Sequence, residues 1–231
     1  MSASTTRTAP SLRGPRVRPE LPLARVVTLE VHDLSVDPGP DGSRLHGLDL
    51  ELRAGTLTVA TPAAPARTLA RVLVGDLPGR DGDLVTGQGR TRRRLATTSW
   101  TALAARTPPT TGRPTVEVLG QGGLAAIRLG VHLGLGPLLD RPLAVLDAAD
   151  RTLVGLALAL AAAPDLVVLD LPAAGLDPEG RRRVLEALRD LVDVEGRTVL
   201  VVASTDHLDA DVVALVDDVV RLEPSAAERR G

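Results

Sequence analysis

The stretch that most constrains the fold is Leu166–Asp170, a short apolar run that ends in a carboxylate. It is entered through Pro164-Asp165 and is rich in β-branched valine, and such a run is typical of a parallel strand buried on both faces. The preceding Leu153–Ala163 is apolar on every side of a helical wheel, which indicates a buried helix. After the strand, Asp177-Pro178 predicts an N-cap with proline at the first helical position. Since α/β proteins carry ligand chemistry at strand ends of this kind, Asp170 is a candidate site residue.

The sequence of Leu166–Pro178, LVVLDLPAAGLDP, resembles the Walker B strand and D-loop of ATP-binding cassette (ABC) ATPases, the ATP-binding subunits of ABC transporters. Their usual form is an apolar run followed by DEPTAGLDP. The resemblance implies a magnesium-site aspartate at Asp170, and it places Leu171 where the family has its catalytic glutamate. It also implies a D-loop at a dimer interface, formed by Ala174, Gly175, Leu176 and Asp177.

This resemblance extends over roughly residues 27–222 and implies an α/β fold of the P-loop NTPase type. The implied architecture is a mixed sheet with an N-terminal antiparallel β part and a small helical subdomain at about 102–163. Residues 1–24 are rich in Ser, Thr, Pro and Arg without periodicity, which indicates a disordered arm. The predicted ABC ATPase-like domain is therefore 25–222, followed by a C-terminal tail at 223–231.

Apolar patterning predicts the other strands. Arg25–Ser35 and Leu45–Leu52 alternate and are separated by a turn cluster, which predicts an antiparallel hairpin like the one with which the family begins. Thr56–Ala60, Leu166–Asp170 and Thr198–Ala203 are apolar enough to be buried on both faces. We expect these three segments to lie side by side as parallel strands, with helices following them.

The phosphate-loop region departs from the family pattern G-x-x-x-x-G-K-[ST], in which glycines form a backbone nest and the lysine reaches the terminal phosphates. Residues 60–68 read ATPAAPART. One register places Ala66 at the lysine position and Pro65 at the preceding glycine. Shifting by one residue places Arg67 at the lysine position instead, with Thr68 as the magnesium-binding hydroxyl. Both registers lose the glycines.

The corresponding nucleotide-binding set is degenerate and consists of Ala63, Pro65, Ala66, Arg67 and Thr68. Alanines forced to positive φ cost ~1 kcal/mol or more each, and Pro65 has no amide to offer a phosphate. The planar fork of Arg67 is a poor replacement for a compact ammonium. The helix is predicted to follow this loop, at Leu69–Val74. We therefore expect weak Mg-ATP binding at most.

Two further family motifs are altered. The predicted strand Leu95–Ser99 should end in a glutamine that senses magnesium and the membrane subunit, but Trp100 or Thr101 occupies that place. Leu146–Asp150 reads LDAAD where the family has the LSGGQ signature, which holds the γ-phosphate of ATP bound to the partner subunit. Asp147 would place a carboxylate against that phosphate.

Two segments carry sequence signals that predict a helix. Asp147 is an N-cap, with Asp150 three residues later as a variant of the capping box. Arg181–Val194 is amphipathic and is followed by Gly196, a helix-ending residue. Its predicted apolar face is formed by Val184, Leu185, Leu188, Leu191 and Val192.

The end of the strand Thr198–Ala203 is the last altered position. The family has a histidine there that contacts the γ-phosphate, usually in the order Thr-His-Asp. Here Asp and His are reversed, so His207 is displaced by at least one residue. With Leu171 at the glutamate position, the catalytic set is incomplete. Asp170 remains a weak magnesium candidate, because a carboxylate without its cradle holds hydrated magnesium weakly.

Composition narrows the classes of protein. A net charge of −2 offers no electrostatic case for nucleic acid. The chain has no cysteine, which excludes disulfides and fits a reducing cytosol. No apolar run approaches the ~20 residues of a membrane-spanning helix. We expect a cytoplasmic protein without a membrane span, attached to the inner face of the cell membrane through a permease.

Three functions are compatible with these residues. The first is a catalytically degenerate, non-hydrolysing partner of a membrane transporter, paired with an ABC membrane permease, an intact ABC ATPase subunit or both, as heterodimer or homodimer. The second is a functional ABC transporter ATPase, with Arg67, Thr68, Asp170 and His207 as makeshift ligands. The third is a scaffold unrelated to transport.

Overall fold

The computed structural model describes residues 28–37, 43–79, 81–86, 93–94, 102–105, 107–171 and 175–222. The predicted arm and tail lie outside these residues. So do the predicted strand Leu95–Ser99, the residues Trp100 and Thr101, and the D-loop residue Ala174.

The first half of the chain is mainly β, a group of helical segments follows, and strands then alternate with helices from residue 148 onward. The strands are β1 (Leu29–Val36), β2 (Leu45–Leu52), β3 (Leu57–Thr61), β4 (Asp81–Thr86), β5 (Arg93–Arg94), β6 (Ala102–Ala105), β7 (Leu166–Asp170), β8 (Thr198–Val202) and β9 (Asp218–Arg221). The helices are α1 (Ala63–Leu73), α2 (Thr115–Gly120), α3 (Gly123–Gly130), α4 (Ala148–Ala161), α5 (Pro178–Glu195) and α6 (Ala210–Leu215). Short helical turns lie at Val131–Leu135, Gly136–Leu138, Leu143–Val145 and Thr205–His207.

The first sheet is antiparallel, with strand order β2-β1-β4-β5. β1 pairs with β2 and with β4, both antiparallel, so the predicted hairpin is confirmed. Leu29 and Val31 of β1 are buried, whereas Glu30 between them is half-buried and His32 is exposed. This alternation gives the sheet one apolar face, as expected where only one side packs on the core.

The second sheet is parallel, with strand order β6-β7-β8-β3-β9. β7, β8 and β3 are neighbours, which confirms the three predicted parallel strands. Every residue of β3 and β8 is buried, and so are the first four residues of β7. The chain therefore has the predicted α/β architecture with an antiparallel β part at its start. The described strands form two sheets, one antiparallel and one parallel, where a single mixed sheet was expected.

The core lies on both faces of the parallel sheet. Val167 and Leu169 of β7 belong to an apolar cluster with Leu156 of α4 and Leu188 of α5. The alternate residues of β7 belong to a second cluster that includes Leu29 and other residues of β1, β2 and α1. The period of two along β7 thus distributes its side chains between two separate apolar layers.

Helix α1 begins earlier than predicted. It starts at Ala63, not Leu69, and the amide of Ala66 donates to the carbonyl of Pro62 at 3.1 Å. Alanine is the strongest helix former, and proline is tolerated in a first turn, where backbone amides lack helical partners. Because this segment contains no glycine, the helix runs through the predicted loop; it ends at Leu73, and Gly75 after it has φ +81.

The helices of the predicted subdomain begin later than residue 102. Ala102–Ala105 form β6 and pair with β7, so this segment belongs to the parallel sheet. The first helix after it, α2, starts at Thr115. The boundaries of the domain and its helical subdomain remain predictions. None of the described helices is long and apolar enough to cross a bilayer.

The two long helices follow their sequence signals. α4 contains the predicted Leu153–Ala163 segment up to Ala161, where the helix ends, and its side chains are largely buried. α5 starts at Pro178 and ends at Glu195, and its C-cap Gly196 adopts φ +66. All five residues of its predicted apolar face are buried.

Ala163 offers a test of how α4 ends. It adopts φ +50 directly after the helix, a conformation that strains any residue with a Cβ. We expect Ala163→Gly to stabilise the fold by about 1 kcal/mol, raising Tm by about 2–4 °C in thermal unfolding. The matched control is Ala162→Gly, because Ala162 has right-handed helical dihedrals and gains nothing from glycine. Equal Tm changes in the two variants would contradict this account.

Candidate functional site

The candidate site lies where the carboxyl ends of β3, β7 and β8 meet at one edge of the parallel sheet. Asp170 is the last residue of β7 and is paired with Val202, the last residue of β8. Thr61 ends β3, and its hydroxyl lies 3.2 Å from the hydroxyl of Thr205, in the turn after β8. Parallel strands bring their carboxyl ends together in this way, so residues far apart in sequence share one edge.

An ion pair joins Arg67 and Asp170 at this edge. Arg67 Nε donates to Asp170 Oδ2 at 2.6 Å, and Arg67 Nη2 donates to Asp170 Oδ1 at 3.5 Å. The two side chains are 33% and 25% exposed. Both carboxylate oxygens therefore face the fork of one guanidinium in a partly desolvated position.

The predicted phosphate-loop residues lie in α1. Ala63 is its first residue, and Pro65 and Ala66 are buried in its first turns. Among the described non-glycine residues, positive φ occurs only at Asp33 and Ala163, so the segment from Thr61 to Leu73 has no left-handed residue. A nest of successive amides needs such alternating dihedrals. The backbone at this position is a helix.

Thr68 points toward Ser43, the residue two positions before β2. Its hydroxyl lies 2.6 Å from the Ser43 hydroxyl, and both side chains are buried. Ser43 also donates to the carbonyl of Ala64 at 3.2 Å. Arg67 and Thr68, neighbours in α1, are thus engaged in different directions, one at Asp170 and the other at the start of β2.

The two candidate base positions follow β7 and β8. Leu171 is only 1% exposed and packs in the core cluster with α4 and α5. His207 lies at the end of the turn after β8 and is half-buried. Its Nδ1 is buried and makes no hydrogen bond within the described part of the chain. The role of His207 remains a prediction.

The segment at the signature position is held by a charge cluster. Asp147 is the N-cap of α4, as predicted, and accepts from the amide of Asp150 at 2.7 Å. Arg183 of α5 donates through Nη2 to Asp147 at 3.1 Å and to Asp150 at 2.6 Å. Burial raises the pKa of Asp150, Arg183 acts in the opposite direction, and Asp147 adds to the rise. One guanidinium thus compensates two carboxylates incompletely.

The D-loop residues that the structure describes lead into α5. Gly175 adopts φ +63, and Leu176 packs against the core. Asp177 is the predicted N-cap, with its Oδ1 accepting from the amide of Gly180 at 2.7 Å. A Cβ at Gly180 would lie 2.9 Å from that oxygen, so glycine allows the close cap. The structure confirms the cap, and the interface role remains a prediction.

Several residues of these contacts were not predicted from the sequence. They are Ser43 at Thr68, Thr205 at Thr61, and Arg183 at the α4 N-cap. Each belongs to an element distant in sequence from its partner. The only local signal was the exposed face of amphipathic α5, which places Arg183 among polar residues without identifying its partner.

Curated proteins similar to this chain are ATP-binding components of ABC transporters. The zinc import ATP-binding protein ZnuC of Alkalilimnicola ehrlichii is 32% identical over 214 residues, which cover 91% of this chain and 80% of the relative. A putative ABC transporter ATP-binding protein of Streptomyces coelicolor is 29% identical, with coverage of 91% and 81%. No protein-family model matches the chain.

Solved structures share the fold. The ADP conformation of MJ1267, an ATP-binding cassette of an ABC transporter, superposes with a TM-score of 0.70 at 17% identity, over 86% of this chain and 88% of that structure. A nucleotide-free ATP-binding cassette from an ABC transporter gives a TM-score of 0.68 at 18% identity, over 85% and 87%. These similarities confirm the predicted cassette fold.

The Ser43–Thr68 hydroxyl pair is open to a direct test. Ser43→Ala or Thr68→Val leaves one buried hydroxyl with fewer partners, so each should lower the free energy of unfolding by about 1–2 kcal/mol. The double variant should lower the free energy of unfolding by less than the sum of the two single variants, because it removes both polar groups together. Denaturant unfolding of the four proteins measures the coupling. Strict additivity would show that the two hydroxyls do not interact.

Proposed function

This chain belongs to the ATP-binding proteins of ABC transporters, and we propose that it serves as a non-hydrolysing structural or regulatory subunit of such a transporter. The observation that carries the proposal is the course of α1, which runs through the segment where the family places its phosphate loop. A subunit of this kind keeps the cassette fold and its contacts with partners, while the chemistry of ATP hydrolysis belongs to another subunit.

The described residues argue against a fit to Mg-ATP. Phosphates are cradled by consecutive free amides, but Pro65 has none and the Ala66 amide donates within α1. A magnesium ion needs carboxylate and hydroxyl oxygens, but Asp170 already accepts from Arg67 and the Thr68 hydroxyl lies at Ser43. We therefore assign no step of a reaction to this cofactor.

The position of the catalytic base supports the same proposal. Hydrolysis needs a group that orients and deprotonates the attacking water. Leu171, at the glutamate position of the family, has an aliphatic side chain and packs in the core. No proton acceptor is available from this position, whatever its distance from a nucleotide.

The signature position lends further support. In the family this segment holds the γ-phosphate bound to the partner subunit. Asp147 and Asp150 place two carboxylates there, and Arg183 compensates them only in part. The remaining negative charge disfavours a phosphate at close range. We propose that neither half of a composite ATP site is functional in this chain.

The proposed partners are an ABC membrane permease and an intact ABC ATPase subunit. One relative, from Mycobacterium tuberculosis, is named an ABC transporter ATP-binding/permease protein. That name combines an ATP-binding function with a permease function. The described helices include no candidate membrane span. We propose a location at the cytoplasmic face of the cell membrane.

ATP turnover by the purified protein tests the proposed function. We expect no phosphate release above background from Mg-ATP, because the site lacks both a phosphate cradle and a base. Phosphate release is measured for wild type, Leu171→Ala and Asp170→Ala purified in parallel. A contaminating ATPase gives equal rates in all three preparations. Turnover in wild type that Asp170→Ala abolishes would refute the proposal and favour a functional ABC ATPase.

Substitutions in the D-loop test the proposed partner contact. If Ala174–Asp177 contacts a partner subunit, Ala174→Arg should reduce co-purification with permease or ATPase partners encoded nearby. Asp177→Asn removes a charge from the same segment and should leave folding unchanged, because asparagine caps a helix about as well as aspartate. Asp177→Asn should keep the Tm of wild type within about 2 °C, since Asp177 is exposed and surface changes are usually within ±0.5 kcal/mol. The Tm of Ala174→Arg is measured beside it, to separate a loss of partner from a loss of fold. Unchanged co-purification of Ala174→Arg would limit Asp177 to its role as a cap.

A further inference from the structure

We propose that the Arg67 guanidinium takes the place of a metal ion at the Asp170 carboxylate. This ion pair acts as a lock that holds α1 to β7 without a bound ligand. The inference deepens the proposed function and rests on it for the absence of a working nucleotide site. It concerns the regulation of that site: the carboxylate that would hold a divalent cation is bound by a side chain of the same chain.

The geometry of the ion pair supports this assignment. The guanidinium presents two donors to the two oxygens of Asp170, at 2.6 and 3.5 Å. A divalent cation would need at least one of these oxygens as a direct ligand. It could enter only by displacing a charge-assisted hydrogen bond, a stronger contact than one between neutral groups.

The surroundings make the pair harder to open than an ion pair on the surface. Arg67 is 33% exposed and Asp170 is 25% exposed, so both charges are partly desolvated. Separating them would leave a carboxylate in a partly buried position without this counter-charge, which is destabilising to the extent that the carboxylate is desolvated. The carboxylate is therefore electrically satisfied in the folded chain.

The position of the pair in the fold makes it a lock between elements. Arg67 lies on α1, which follows β3, and Asp170 ends β7; in the sheet, β8 lies between these two strands. The side chain of Arg67 thus links two elements across the end of a third. At the next residue, the Thr68 hydroxyl holds α1 to Ser43, on the antiparallel side.

The early start of α1 and the ion pair depend on each other. In this chain Pro62 alone separates β3 from α1, so Arg67 lies in the second turn of a regular helix. A helix fixes the direction of each side chain from its first turn onward. An open phosphate loop would not fix Arg67 in this way. The residues that replace the glycines allow the helix to start early, and this early start places the Arg67 guanidinium at Asp170.

A double-variant cycle with a cation titration tests the lock in the full-length chain. The variants are Arg67→Met, Asp170→Asn and the double variant; methionine preserves much of the side-chain length and packing of arginine. Arg71→Ala, one turn further along α1, is the matched control for loss of an arginine. Each single variant should lower Tm by about 3–6 °C, and the double variant by less than the sum.

MgCl2 is the probe for the vacated carboxylate. MgCl2 should leave the Tm of wild type unchanged. At a concentration ten times its Kd for Arg67→Met, it should raise the Tm of that variant by about 3 °C. That rise should vanish in the Arg67→Met/Asp170→Asn double variant. Arg67→Lys, which keeps the charge without the fork, should have a Tm between wild type and Arg67→Met and provides the comparison if Arg67→Met does not fold.

The outcomes separate this inference from the proposed function. Additive Tm changes in the cycle, or a MgCl2-dependent rise in wild type that Asp170→Asn removes, would overturn the lock even if the protein does not hydrolyse ATP. Asp170-dependent phosphate release would overturn the proposed function, and the cycle would still measure whether Arg67 and Asp170 are coupled. Coupling together with a Mg²⁺ response confined to Arg67→Met supports the lock.

Discussion

Burial of the central parallel strands on both faces is the constraint on which the rest of the structure depends. All side chains of β3 and β8 are buried, and buried backbone groups must be hydrogen-bonded to neighbouring strands. Both faces then need an apolar cover. The antiparallel sheet and α1 cover one face, and α4 and α5 cover the other. Polar side chains are thereby concentrated at the strand ends, where Asp170 and Thr61 lie.

A charge at such an edge is partly desolvated and requires compensation, which a ligand or another side chain can supply. In this chain side chains supply it at both positions where the family holds Mg-ATP. Arg67 compensates Asp170, and Arg183 compensates Asp147 and Asp150 in part. At the end of β7, a side chain of the same chain thus supplies the compensating charge.

The loss of glycine links local sequence to this difference. Residues 60–68 contain alanine, proline and threonine where the family pattern has glycines. Glycine permits the left-handed dihedrals of a nest, whereas alanine favours a helix. The helix then uses amides such as that of Ala66 for its own hydrogen bonds and fixes the direction of Arg67. A change in backbone propensity therefore alters which atoms are available to a ligand.

The sequence by itself determined the parallel strands, the hairpin, the buried α4, the apolar face of α5, and the caps at Asp147 and Asp177. These features depend on periodicity and on neighbours within a few residues, so a local pattern is sufficient. It did not determine the start of α1, because the family pattern predicted a loop where alanine propensity favours helix. Only the tertiary structure decided that Arg67 meets Asp170, 103 residues away in sequence. Such pairings depend on which elements pack together, and a local pattern contains no information about that distance in space.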